Sequence, residues 1–120
     1  GMLRFIDGQT LLIDGFLKSK ESGIGDQLLS VLKEHHLEAI PLDFDVPVQS
    51  RHNWGYLNFL QMEKLLLIPQ FGIEEDHPAM QQIAAFFPEV ARMGLVHTID
   101  ARDLIRDGGA LNCISWNIRI

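Results

Sequence analysis

Cysteine is nearly missing from this sequence: Cys113 is the only one in 120 residues. One thiol makes no internal disulfide and offers no Cys-x-x-Cys half-site for zinc, in keeping with a reducing compartment. Basic residues are also scarce, 10 Lys and Arg against 16 Asp and Glu for a net charge of -6. With no basic stripe to release counterions, nucleic acid is excluded as a partner, and a small cation fits better. No apolar run approaches the roughly 20 residues of a membrane span. The N-terminus also lacks the basic, apolar and small-residue order of a signal peptide, so the expected location is cytoplasmic, with no membrane partner. Low-complexity segments are absent.

What remains is a chain that is 47% hydrophobic and sized for a single folded domain, residues 2–120, with Gly1 read as a tag remnant before the initiator Met2. The stretch Leu3 to Ile13 places apolar residues around Asp7-Gly8 and predicts a β-hairpin. A similar pattern recurs 54 residues later, with Leu3 on Leu57, Phe5 on Phe59 and Leu11 on Leu65. Each hairpin is followed by a helical pattern. In the first, Asp26 stands as a cap and Leu28, Leu29 and Leu32 form the stripe, to about Leu37. In the second, Asp76 stands as the cap, Pro78 lies in the first turn, Met80, Ile83, Ala84 and Phe87 form the stripe, and Pro88 stops it. Strands are expected next, Glu38 to Phe44 and Gly94 to Ile99.

The fold class is therefore α/β (α+β), built from two ββαβ-type modules: the first about 2–45, a linker 46–54, the second with its C-terminal extension 55–120. After the second module, Asp100 and Asp103 suggest a short capped helix over Ala101 to Arg106, ended by a left-handed turn at Gly108. Ala110 to Ile118 then alternates as a strand would, with Leu111, Cys113, Ser115 and Asn117 on one face. By itself a lone cysteine on such a strand reads as a small buried hydrophobe.

Ordered matches change that reading. Arg4-Phe5-Ile6-Asp7, Tyr56-Leu57-Asn58-Phe59, Leu67-Ile68-Pro69-Gln70-Phe71-Gly72 with Asp76, Ile99-Asp100-Ala101-Arg102 and Gly108-Gly109-Ala110-Leu111-Asn112-Cys113-Ile114-Ser115 together resemble the C-terminal portion of the bacterial agmatine deiminase and peptidylarginine deiminase family. That family belongs to the guanidino-group-modifying, or pentein, superfamily. The resemblance implies a five-module α/β propeller around a central cavity, of which these would be the last two modules. It implies no cofactor and no metal, and a small cationic guanidine as substrate, agmatine ahead of peptidyl-arginine. Cys113 is implied as the nucleophile, and Gly108, Gly109 and Asn58 as substrate-binding, with a structural role open beside the binding one for Tyr56 and Asn58.

The departures are as informative. The family carries Gly-His-x-Asp directly before the equivalent of Arg4-Phe5, and guanidinium-pairing acidic residues in earlier modules. This sequence begins just after that point, so the resemblance implies a fragment inactive alone, needing another polypeptide for the general acid/base. Asn112 also stands where many relatives place histidine.

No histidine offers itself as a substitute. His35 and His36 close a helix, His77 opens one, His97 lies in a strand, and His52 sits in the linker near where a cavity would be; each reads as structural or surface. Asp43-Phe44-Asp45 reads as a solvated turn, Trp116 as a packing residue, and Trp54 as packing with a ligand contact open. Two other classes of function stand beside the enzyme. One is a catalytically incomplete module that associates with itself or a partner, because removing three modules from a ring bares sheet edges, making a homo-oligomer the expected state. The other is a small ligand-binding α/β module with an incidental cysteine.

Overall fold

The hairpin at the start forms where the sequence places its turn. Asp7 Oδ1 accepts the backbone N–H of Gln9 at 2.8 Å and of Thr10 at 2.7 Å, so the chain reverses between β1 (Leu3–Phe5) and β2 (Thr10–Asp14). The computed structural model describes residues 3–15, 23–42, 53–116 and 118, without the side chains of Asn53 and Trp54. His52, Asp43-Phe44-Asp45, Asn117 and most of the linker lie outside the described residues, as does any ligand contact of Trp54.

Both modules have the expected ββαβ topology. After β2 come α1 (Gly23–Glu34) and β3 (Glu38–Leu42), which lies parallel to β2 while β1 lies antiparallel, in the order β1-β2-β3. The second module repeats this with β4 (Leu60–Met62), β5 (Leu65–Gln70), α2 (Asp76–Ala85), α3 (Pro88–Arg92) and β6 (Val96–Asp100), in the order β4-β5-β6. Pro69 is tolerated in a central strand because the register turns its missing N–H away from β6, on the side where β4 has already ended.

The 54-residue register of the repeat does not survive at the first strand. Leu3 and Phe5 lie in β1, but Leu57 lies in a 3-10 helix, Asn53–Asn58, and Phe59 precedes β4. A tighter turn in the second hairpin, Glu63 and Lys64 against Ile6 to Gln9, shifts its first strand toward the C-terminus. The exact repeat lies at the helix ends. His36 and Gly94, 58 residues apart (94 − 36), are both left-handed, at φ 57 and 70. In each case two back-bonds close the helix: His36 N–H to Lys33 O and Leu37 N–H to Leu32 O, then Gly94 N–H to Ala91 O and Leu95 N–H to Val90 O. This is the Schellman closure, and it delivers the chain into β3 and β6.

Other local expectations are corrected. Asp26 lies inside the first turn of α1 rather than before it. Pro88 ends α2 but also opens α3, where its lack of an N–H is harmless. The helix expected over Ala101 to Arg106 is a later 3-10 turn, Leu104–Asp107; Asp100 still makes the cap-like bond to the Arg102 N–H and also holds its guanidinium.

A single hydrophobic core joins the two sheets. Leu12 and Leu42 from the first module meet Tyr56, Leu57, Phe59, Leu66, Ile68, Ala79, Ile83, Ile105 and Ala110 from the second. The 3-10 helix Asn53–Asn58 is the hinge of this packing, touching β1, β2 and β5. Gly55 permits it, since a Cβ there would lie 2.8 Å from Phe71 and 2.9 Å from Ile105. From β1, the Arg4 guanidinium stacks 3.9 Å above the Phe59 ring, and Phe59 meets Phe87 edge-on at 5.8 Å.

Candidate active site

Cys113 is not on a strand. It sits in a 3-10 turn, Asn112–Ile114, and its side chain is exposed, so the reading of a buried hydrophobe fails as well. The reason lies 55 residues upstream: Asn58 Oδ1 accepts the backbone N–H of Ala110 at 3.2 Å and of Cys113 at 3.1 Å, curling the segment that alternation would have extended. The amide's other end, Nδ2, donates to Cys113 Sγ at 2.9 Å. That bond is the leading cause that holds the thiol below its ordinary pKa, against the opposing effect of desolvation.

Behind Asn58 a second polar link fixes the hinge helix. Tyr56 donates its hydroxyl to Asp76 Oδ1 at 2.7 Å, and burial, then Asp76, pushes the phenol well above its usual range. Asp76 does not cap α2 in the usual sense. Its carboxylate reaches back to accept the N–H groups of Phe71 (2.9 Å), Gly72 (2.8 Å) and Ile73 (3.2 Å), locking the loop that leads into the helix.

Among the residues expected in a site, the structure brings Asn58, Gly109 and Cys113 together. Gly108 takes the left-handed turn foreseen for it, at φ 83. Gly109 packs against the cysteine: a Cβ there would stand 3.0 Å from Cys113 Cβ and 3.2 Å from Sγ. No histidine among the described residues hydrogen-bonds the sulfur; His35, His36, His77 and His97 are all exposed. Among the described residues no three His, Cys, Asp or Glu gather as a metal-binding group. None of their helices is long and apolar enough to cross a membrane. Trp116, expected in packing, is 86% exposed, with Ile114 at 67% and Ile118 at 69%. The Tyr56–Asp76 link joins residues 20 apart and leaves no mark on the local sequence pattern.

A profile of the Porphyromonas-type peptidyl-arginine deiminase family matches residues 23–118. The chain belongs to that family. An Enterococcus faecalis protein named as an agmatine deiminase is 35% identical over 61 residues, 51% of this deiminase-family chain and 16% of its own length. Among solved structures, the agmatine deiminase of C. jejuni superposes with a TM-score of 0.65 at 20% identity, covering 93% of this chain and 36% of that one. The agmatine deiminase of Enterococcus faecalis does so at 0.66 and 16%, covering 94% and 38%. The fold is thus that of the deiminases, and this chain spans only about a third of the solved relatives and less of the curated one.

Proposed function

We propose that this chain carries the nucleophile of an enzyme that hydrolyses a small cationic guanidine such as agmatine, with peptidyl-arginine as the less favoured substrate. The observation behind the reading is an exposed Cys113 whose sulfur accepts an amide N–H, in a chain of this family. The Cys113 thiolate adds to the guanidinium carbon, forming a C–S bond; a proton reaches one nitrogen, the C–N bond breaks and ammonia leaves. Water then adds to the thiouronium carbon, two protons depart, and the C–S bond breaks to return thiolate and a ureido product. On this reading Gly108 and Gly109 would border the approach to the sulfur, with Gly109 packed against Cys113.

The proton-transfer groups and the carboxylates that hold the guanidinium belong, on this reading, to the remaining length seen in the relatives. The two modules would be two of five in a pentein ring working in the cytoplasm. Agmatine with the chain alone is expected to give no ureido product. Supplying a polypeptide for the remaining modules is expected to give turnover that Cys113→Ser abolishes. Turnover that survives Cys113→Ser, or none in the complemented protein with either substrate, defeats the reading.

A second reading is a self-associating module. The exposed apolar residues Ile114, Trp116 and Ile118, together with Ile99 on β6, favour it. Light scattering across a wide concentration range tests it, and a strictly monomeric species would rule it out.

A further inference from the structure

We infer that Asn58 is a positioning residue for the Cys113 sulfur rather than a contact for the substrate, and that Gly109 holds open the side from which the sulfur is approached; both rest on Cys113 being the nucleophile. Only 4% of Asn58 is exposed, which leaves almost no surface for a ligand. Its carbonyl oxygen has two acceptor sites, and the N–H groups of Ala110 and Cys113 occupy them. Its amide nitrogen points a donor at Sγ.

One buried side chain therefore sets both the backbone that carries the sulfur and the orientation of the sulfur itself. The hinge helix that bears it is tied to the core through Tyr56 and Asp76, so the donor stays in place without reorganising when charge on the sulfur changes. The N–H donates a charge-assisted bond to the attacking thiolate. On attack the sulfur gives its electron pair to carbon and that assistance weakens. When the C–S bond breaks at the end of hydrolysis, the pair returns to sulfur and the bond is restored.

Gly109 acts by what it lacks. A methyl group there would meet the cysteine at 3.0 Å from Cβ and 3.2 Å from Sγ, closer than ordinary contact.

The test uses the whole chain and iodoacetamide, whose rate reports Cys113 alone because no other thiol is present. The pH midpoint of alkylation in the folded chain should lie below that of the urea-unfolded chain. Asn58→Asp keeps the two acceptors but replaces the donor by a negative charge, so alkylation at pH 7 should slow about tenfold and the midpoint should rise. Gly109→Ala should slow alkylation at every pH and leave the midpoint in place. A folded Asn58→Asp variant with an unmoved midpoint overturns the positioning role. If that variant does not fold, a folded native chain whose midpoint equals the unfolded one overturns it equally. Gly109→Ala reacting at the native rate overturns the role of Gly109. None of these readouts needs a guanidine, so failure of turnover in the complemented protein alongside a shifted midpoint counts against the proposed reaction and not against Asn58.

Discussion

The two ββαβ modules share strand order but not exposure. In the first, β2 is covered on both faces: Leu11, Leu12, Ile13 and Asp14 are all buried. In the second, β5 buries Leu66 and Ile68 while Leu65 and Leu67 stay half-buried, and β6 is exposed from His97 to Asp100. The hinge helix Asn53–Asn58 packs on β1 and β2 as well as on β5, so the segment leading into the second module also covers part of the first sheet. The first module supports; the second carries the Cys113 turn.

The strongest way to break this comparison is to remove support from the far module. Leu12→Ala deletes a fully buried side chain of the shared core and should cost about 2–5 kcal/mol. Urea unfolding should remain a single transition, with the cysteine turn lost together with β2. Two separable transitions would mean that the modules stand independently.

Next in size is a contrast between two turn-forming carboxylates. Asp76→Ala removes the acceptor that the Tyr56 hydroxyl and three backbone N–H groups share and should destabilise the chain by about 2–3 kcal/mol. Asp7 serves the first module in a fully exposed turn, and Asp7→Ala should have a much smaller effect. Its pH signature has a definite sign: the N–H groups of Gln9 and Thr10 lower the Asp7 pKa in the folded chain. That contribution is therefore full above the unfolded carboxyl pKa and is lost as pH falls through the folded one. Equal losses from the two substitutions, read by thermal melting, would erase the distinction between the supporting module and the one that carries the Cys113 turn.

Much of the fold was legible because its signals are local. Alternation around Asp7-Gly8, the stripe through Ile83, and Pro78 near a helix start all report on neighbours within one turn. That Asn58, Gly109 and Cys113 lie together is what the ordered motifs led one to expect, but the shape they make was not legible. Period-two alternation from Ala110 to Ile118 pointed to a strand, and nothing nearby said otherwise. The decisive hydrogen bonds come from Asn58, 55 residues away, and such a partner leaves no mark on the local pattern. The hinge helix was hidden for the same reason: Gly55 is fixed by the approach of Phe71 and Ile105, and Tyr56 by Asp76. Gly108-Gly109 before the cysteine was the one local hint, since adjacent glycines often mark a close approach.

The smallest expected effect is the most symmetrical. His36 and Gly94 occupy the same left-handed position after α1 and α3, with the same pair of back-bonds, yet only one of them lacks a Cβ. At φ 57 the His36 side chain crowds the following carbonyl, a strain that glycine avoids. His36→Gly should stabilise the chain by roughly 0.5–1 kcal/mol, after the greater freedom glycine gives the unfolded state is subtracted. Gly94→Ala should destabilise it by about 1 kcal/mol, because it introduces at the second helix end the crowding already present at the first. Opposite signs for the two substitutions in urea unfolding would show that both modules use one backbone device with different residues. The same sign for both would mean that the matching back-bonds are coincidental, and the repeat would then rest on strand order alone.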